Sequence, residues 1–213
     1  MSKTFKALEE IGKPDVTGFV VIDSEGNPHS ISLADEYGNA ESLELPSSVP
    51  ENVRLYWDAV RMLWLHGWFY YPFYTMATLH ASLAVEMAIK ERFEVEGIAL
   101  TKGNSKFARR LDIAVARGWL VPHDFSNIRR RLERERESEE LFAALGEGRA
   151  ERSLEERNAE LLTAMKRHLE TLRLIRNDRA HPDGLSNVLP GMSYDEIEYA
   201  RDLIAQLFPP SGP

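Results

Sequence analysis

Leu161-Leu162-Thr163-Ala164-Met165-Lys166-Arg167-His168-Leu169-Glu170-Thr171-Leu172-Arg173-Leu174-Ile175 decides the fold. Leu154, Leu161, Met165, Leu169, Leu172 and Ile175 recur at intervals of three, four and seven, which puts them on one stripe of an α-helix. The pattern predicts a helix over about 152–179, stopped by Pro182-Asp183-Gly184.

Working toward the N-terminus, the same period continues. Residues 129–140 place opposite charges three and four apart, the pattern of an exposed helix, with Pro122 as its start. Gly146-Glu147-Gly148 separates it from the long helix. Phe107, Leu111, Ala114 and Val115 mark a helix ending at Gly118, which Asn104 or Ser105 is suited to cap. Leu79, Leu83, Met87 and, less regularly, Phe93 follow helical spacing in a helix from Pro72 to about Gly97. Another helix is predicted from Asn52 to about Tyr71. On the other side, Ser193 and Glu196 have capping-box spacing for a last helix, Tyr194–Leu207. The predicted fold is mainly α, an up-and-down helical bundle over residues 47–213.

Residues 1–46 read differently. Val16–Ile22 is β-prone, Asp23–Pro28 has turn chemistry, His29–Leu33 alternates, Tyr37-Gly38-Asn39 suggests a turn, and Ser42–Leu45 a third short strand. A small β-prone N-terminal extension leaning on the bundle is expected, with Pro46–Pro50 as the boundary.

The 213 residues carry a net charge of −8. Residues 1–50 contain 3 Lys and 9 Asp or Glu, so most of the acidity is N-terminal. Residues 161–182 contain 5 basic and 2 acidic groups, which leaves room for an anionic ligand there. Without cysteine there is no disulfide framework, thiolate metal site or cysteine nucleophile. The six histidines have no metal-ligand spacing, and neither a metal nor a cofactor is expected. The 24 positions between Arg61 and Glu86 lack formal charge, but His66, Gly67, Pro72 and His80 break up the run, so two helices are expected there and not a membrane span. The first ten residues lack an apolar signal core, and a cytoplasmic location is expected.

The chemistry-bearing segment is Arg176-Asn177-Asp178-Arg179-Ala180-His181-Pro182. A residue before proline is pushed out of helical geometry, so His181 is expected at the helix edge. The helix dipole there favours the imidazolium. Such a histidine exchanges protons near neutral pH, and Arg176 offers a planar fork for phosphate oxygens. The plain alternative is that both cap the last carbonyls of the helix. Arg61 and His66 share the spacing, but only apolar residues lie between them in mid-helix, and they read as a decoy.

The segment, at the end of the long helix of a predicted bundle, resembles the HEPN family (higher eukaryote and prokaryote nucleotide-binding domains), in which that helix ends in an Arg-x(4–6)-His motif, commonly with Asn, Asp or His after the Arg. Leu79–Lys90 resembles the opening helix of that fold, and the likeness spans about 52–208 in layout. It implies metal-independent endoribonuclease activity in a homodimer, with attack by the RNA 2′-hydroxyl on its own phosphate. It implies His181 as acid or base, Arg176 on the phosphate and Asn177 as a positioning hydrogen-bonder. Arg173 and Arg179 are expected as further RNA phosphate contacts because few carboxylates surround them. A toxin or defence role, with an antitoxin or nucleotidyltransferase partner, is the biological setting it implies. Some family members are non-catalytic modules that bind a partner protein or nucleotide, and that alternative remains. Weaker candidates are Glu86, for the cleft or for Lys90, the nine aromatics of 56–74, as core or as base-stacking surface, and Arg129-Arg130-Arg131, as an RNA track or a solvated face.

Overall fold

A computed structural model describes residues 10–15, 20–22, 26–99, 101, 103, 106–144, 153–180 and 190–210. The protein is mainly α-helical. Its helices are α1 (Leu33–Ser42), α2 (Glu51–His66), α3 (Pro72–Val95), α4 (Phe107–Ala116), α5 (Ser126–Ala144), α6 (Leu154–Ala180) and α7 (Pro190–Leu207). A 3₁₀ turn, Pro122–Asp124, precedes α5.

The centre of the bundle is α3, which packs against α2, α7, α6 and α4. Its core face is made of small residues: Ala77, Ala81, Ala84 and Ala88 are fully buried, with Val85, Ile89 and Phe93 beside them. Small side chains let neighbouring helix axes approach closely. Leu79, Leu83 and Met87, which carry the helical spacing in the sequence, are only half-buried and lie on another face. From α6, Leu161, Met165, Leu169 and Leu172 enter the core as their spacing predicts.

Helix ends follow local chemistry. After α3, Gly97 takes φ +65°, its N–H bonds the Glu94 carbonyl, and the Ile98 N–H bonds the Phe93 carbonyl. After α4, Gly118 at φ +70° repeats the arrangement, with Trp119 N–H on Ala114. Both are Schellman closures that need the left-handed region glycine tolerates. The second turns Trp119 edge-on to Phe93, 5.7 Å between ring centres.

The break in the charge-free run lies at Gly67–Tyr71, ahead of the proline. α2 ends at His66, five residues before its predicted end, and Pro72 is the first residue of α3, where its missing N–H costs nothing. A Cβ on Gly67 would lie 2.6 Å from the Tyr74 ring, so the turn depends on a bare backbone there.

Two expectations are corrected. Ser193 is no cap: it lies inside α7, fully buried, donating to the Tyr74 carbonyl (3.0 Å) and bonding Thr78 Oγ1 (2.8 Å). The N-terminal region is less β-structured than its sequence suggests. Val20–Ile22 (β1) and Pro28–Ser30 (β2) form an antiparallel pair, with Val20 opposite Ser30. Residues 33–42, however, are helical, and Tyr37-Gly38-Asn39 lies within α1. A reciprocal cap starts this helix: Ser32 Oγ accepts from Asp35 N–H (3.2 Å), and Asp35 Oδ2 accepts from Ser32 N–H (2.8 Å). Leu43 and Leu45 are buried in the bundle core and form no strand, and Trp57 Nε1 donates to the Leu43 carbonyl at 2.6 Å.

Candidate functional site

The end of α6 is placed by its neighbours. Tyr199 of α7 donates its hydroxyl to the Met165 carbonyl (3.2 Å) and stacks on His168, 4.6 Å between ring centres, while Asp195 feels the charge of His168. Moving up α6 therefore moves down α7, and the two helices are antiparallel. Ser193, near the start of α7, bonds Tyr74, near the start of α3. The C-terminal end of α6 thus lies at the same end of the bundle as the starts of α3 and α7 and the Gly67–Tyr71 turn.

Arg176, Asn177 and Arg179 fall in the last turns of α6, which runs to Ala180. At 1.5 Å per residue, Arg176 is about 12 Å along the axis from His168. His181 lies outside the described residues. Arg173, one turn before Arg176, forms an ion pair with Glu170. It also borders a groove of about 400 Å³ between α4 and α6, lined by Leu111, Asp112, Val115, Lys166 and Leu169 among others. The carboxylates at this guanidinium are few, as the sequence count suggests, but one of them is on it.

The decoy pair is accounted for by ordinary bonds. Arg61 donates to the Ala40 carbonyl (2.8 Å) and to Asp58 (2.9 Å), and His66 Nδ1 bonds the Met62 carbonyl at 2.7 Å. Glu86 takes its sequence neighbour Lys90 at 3.2 Å and also buried Arg110 at 3.0 Å, tying α3 to α4. In the Arg129-Arg130-Arg131 run, Arg129 bonds Ser126, Arg130 grips Glu198 with both terminal nitrogens, and Arg131 pairs with Glu135 (2.8 Å). Of the nine aromatics, Trp57, Trp64 and Tyr74 are core, whereas Tyr70 is 46% exposed.

Several polar groups escape a reading of the sequence because their partners are far along the chain. Across α5, α6 and α7, Phe125 stacks on Tyr199 (4.3 Å), which stacks on His168, with Asn127 Nδ2 3.4 Å from its Nε2. Burial lowers the His168 pKa, opposed by Asp195, and burial raises that of Asp195, opposed by Arg130. Asp202 accepts the first amide of α5, at Ser126, over 2.6 Å, and burial raises its pKa. At the end of the bundle that holds the α6 terminus, Glu36 is 1% exposed and accepts from Tyr74 Oη at 3.0 Å. Burial outweighs that bond and lifts its pKa to about 7. The sequence carried little sign of it: Glu36 follows Asp35, with Ser32 four residues before it and Ala40 four residues after.

Among the described residues, no group of three or more His, Asp and Glu is placed to hold a metal ion, and no helix is long and apolar enough to cross a membrane. Compared with protein-family models, curated proteins and solved structures, the chain matches none.

Proposed function

We propose that the protein is a metal-independent endoribonuclease of HEPN type that works as a homodimer. The observation that carries the reading is the run Arg176-Asn177-Asp178-Arg179-Ala180-His181, whose first five residues close the longest helix of a helical bundle. In this reading the RNA 2′-oxygen forms a bond to the adjacent phosphorus as the bond from phosphorus to the 5′-oxygen breaks. One His181 removes the 2′-proton, and the His181 of the second copy donates a proton to the leaving 5′-oxygen. Arg176 holds the phosphate and offsets the negative charge that grows on its oxygens. Asn177 orients the phosphate or the imidazole, and Arg179 and Arg173 hold the flanking backbone. The products are a 2′,3′-cyclic phosphate and a 5′-hydroxyl. Arg173 is the weakest member of the set, because Glu170 competes for it.

A toxin or defence effector held by an antitoxin fits such an activity. The Glu170 pair on Arg173 favours the second reading, a non-catalytic module of the same type that binds a partner protein or nucleotide. Incubation of purified protein with structured and unstructured RNA in EDTA separates the two. Cleavage by the wild type that is lost in His181→Ala supports the enzyme. RNA left equally intact by both supports the module.

A further inference from the structure

α5 buries little of itself. Among its described residues Ile128 alone is buried, with Phe125 just ahead of the helix and Leu132 half-buried. Polar bonds from its first two turns carry much of the attachment. The Ser126 N–H donates to Asp202 (2.6 Å), Arg130 holds Glu198, and Asn127 Nδ2 meets His168 Nε2 of α6 at 3.4 Å. A donor facing Nε2 requires a lone pair there, so the ring sits neutral in the junction with its proton on Nδ1. His168 is half-buried, and Tyr199, itself stacked on Phe125, covers one face of it. The charged groups around the ring come from two helices. α7 presents Asp195 and Glu198, with Asp202 a turn further on, and α5 presents Arg130 and Arg134. On α6 the residues one turn to either side, Ala164, Met165, Thr171 and Leu172, carry no charge. Glu198 is committed to Arg130, and Asp195, whose charge reaches the ring, lies 3.9 Å from the same guanidinium.

We infer that His168 is an acid-operated latch: a proton on its ring loosens α5 from α6 and α7. A proton on Nε2 sets a cation against the amide donors of Asn127 in a half-buried space. Asp195 offsets only part of that cost, because Arg130 shares it. Lifting α5 away returns the ring to water, where its charge costs less. The open junction therefore binds the proton more readily than the closed one, and acid favours opening. Burial holds the His168 pKa below its ordinary 6.5, so the closed junction is fully favoured above that value and loses ground as pH falls below it. One response would reverse the effect. Asn127 Oδ1 is buried without a hydrogen-bond partner, and an amide that turned over to present it to the imidazolium would tighten the junction in acid. The latch involves none of the groups assigned to RNA cleavage and stands or falls separately from that chemistry.

Hydrogen–deuterium exchange of the full chain at about pH 7.5 and about pH 5.5, corrected for the intrinsic pH dependence of exchange, tests it. The expected result is that protection of the first two turns of α5 falls at least about threefold in acid, measured against the buried alanine stripe of α3. His168→Phe keeps a ring to stack on Tyr199 and cannot take up a proton, so its α5 protection should not fall. Asp195 and Asp202 remain in that variant, and the difference between the two proteins isolates the imidazole. Titration of the wild-type His168 ring by NMR needs no variant and should give a midpoint below 6.5. Protection of α5 that is equal at the two pH values, that rises in acid, or that falls as far in His168→Phe as in the wild type overturns the inference. So does a His168 midpoint at or above 6.5.

Discussion

Replacing Glu36 with glutamine should remove a pH dependence of folding stability that one buried carboxyl creates. Glu36 is 1% exposed in the packing of α1 against the bundle, and its side chain accepts from Tyr74. Burial raises its pKa from 4.5 to about 7. An acid whose pKa is raised by folding binds more protons folded than unfolded between those two values. Its contribution is therefore fully present below about pH 4.5 and is lost as pH rises through about 7. A shift of that size corresponds to about 3 kcal/mol, of which about 2 kcal/mol falls between pH 5.5 and pH 8. Glutamine keeps an acceptor for Tyr74 and cannot ionise. Urea unfolding at several pH values reads the effect directly. The wild type should lose about 2 kcal/mol more than Glu36→Gln from pH 5.5 to 8. Equal pH slopes for the two proteins, or a wild type that gains stability relative to the variant as pH rises, would refute the assignment of Glu36 as a buried, mostly neutral carboxyl at pH 6.

Other outcomes follow from single contacts. Glu86→Ala breaks the buried ion pair with Arg110 that ties α3 to α4 and should cost about 3 kcal/mol in denaturant unfolding. Gly118→Ala forces a side chain into the left-handed region and should cost about 1 kcal/mol, read as a lower melting midpoint. Gly67→Ala drives a methyl group against the Tyr74 ring and should cost about 1–3 kcal/mol, with perturbed near-ultraviolet signals from Trp64 and Tyr74. Arg176→Ala should lower RNA cleavage at least about a hundredfold at unchanged melting temperature, whereas His66→Ala, at the other Arg-x(4)-His spacing, should leave cleavage per folded molecule unchanged.

The long-range helical pattern was legible because amphipathic helices announce themselves residue by residue. Leu161, Met165, Leu169 and Leu172 occupy the core as their spacing requires, and Gly97 ends α3 as its backbone freedom predicts. α1 was not legible as a helix. Ile31, Leu33 and the Tyr37-Gly38-Asn39 triplet carry strand and turn preference, and the deciding Ser32–Asp35 cap uses aspartate where the usual motif has glutamate. Ser193 misled for the converse reason: a residue with capping chemistry is used in the interior, because Thr78 and the Tyr74 carbonyl lie across from it. On α3, apolar spacing revealed a real stripe but could not say which of two stripes faces the core. Alanines at the more buried stripe give a weaker hydrophobic signal than the leucines and methionines at the other. Of the candidate site, Arg176, Asn177 and Arg179 fall on the helix end that the pattern predicts. The His168–Tyr199–Phe125 stack needed the fold, since its partners are set by packing between helices, whereas the Arg173–Glu170 pair is an i, i+3 spacing within α6 that the sequence already carried.

The central claim is tested most directly by the chemistry of the ends it leaves. Single-stranded RNA is incubated with the wild-type protein in EDTA, and the 3′ termini of the fragments are identified by mass spectrometry. The account predicts 2′,3′-cyclic phosphates, absent from Arg176→Ala and His181→Ala samples and absent where the nucleotide at the cleavage site lacks its 2′-hydroxyl. Fragments ending in a 3′-hydroxyl, or cleavage that persists in both variants, would contradict it.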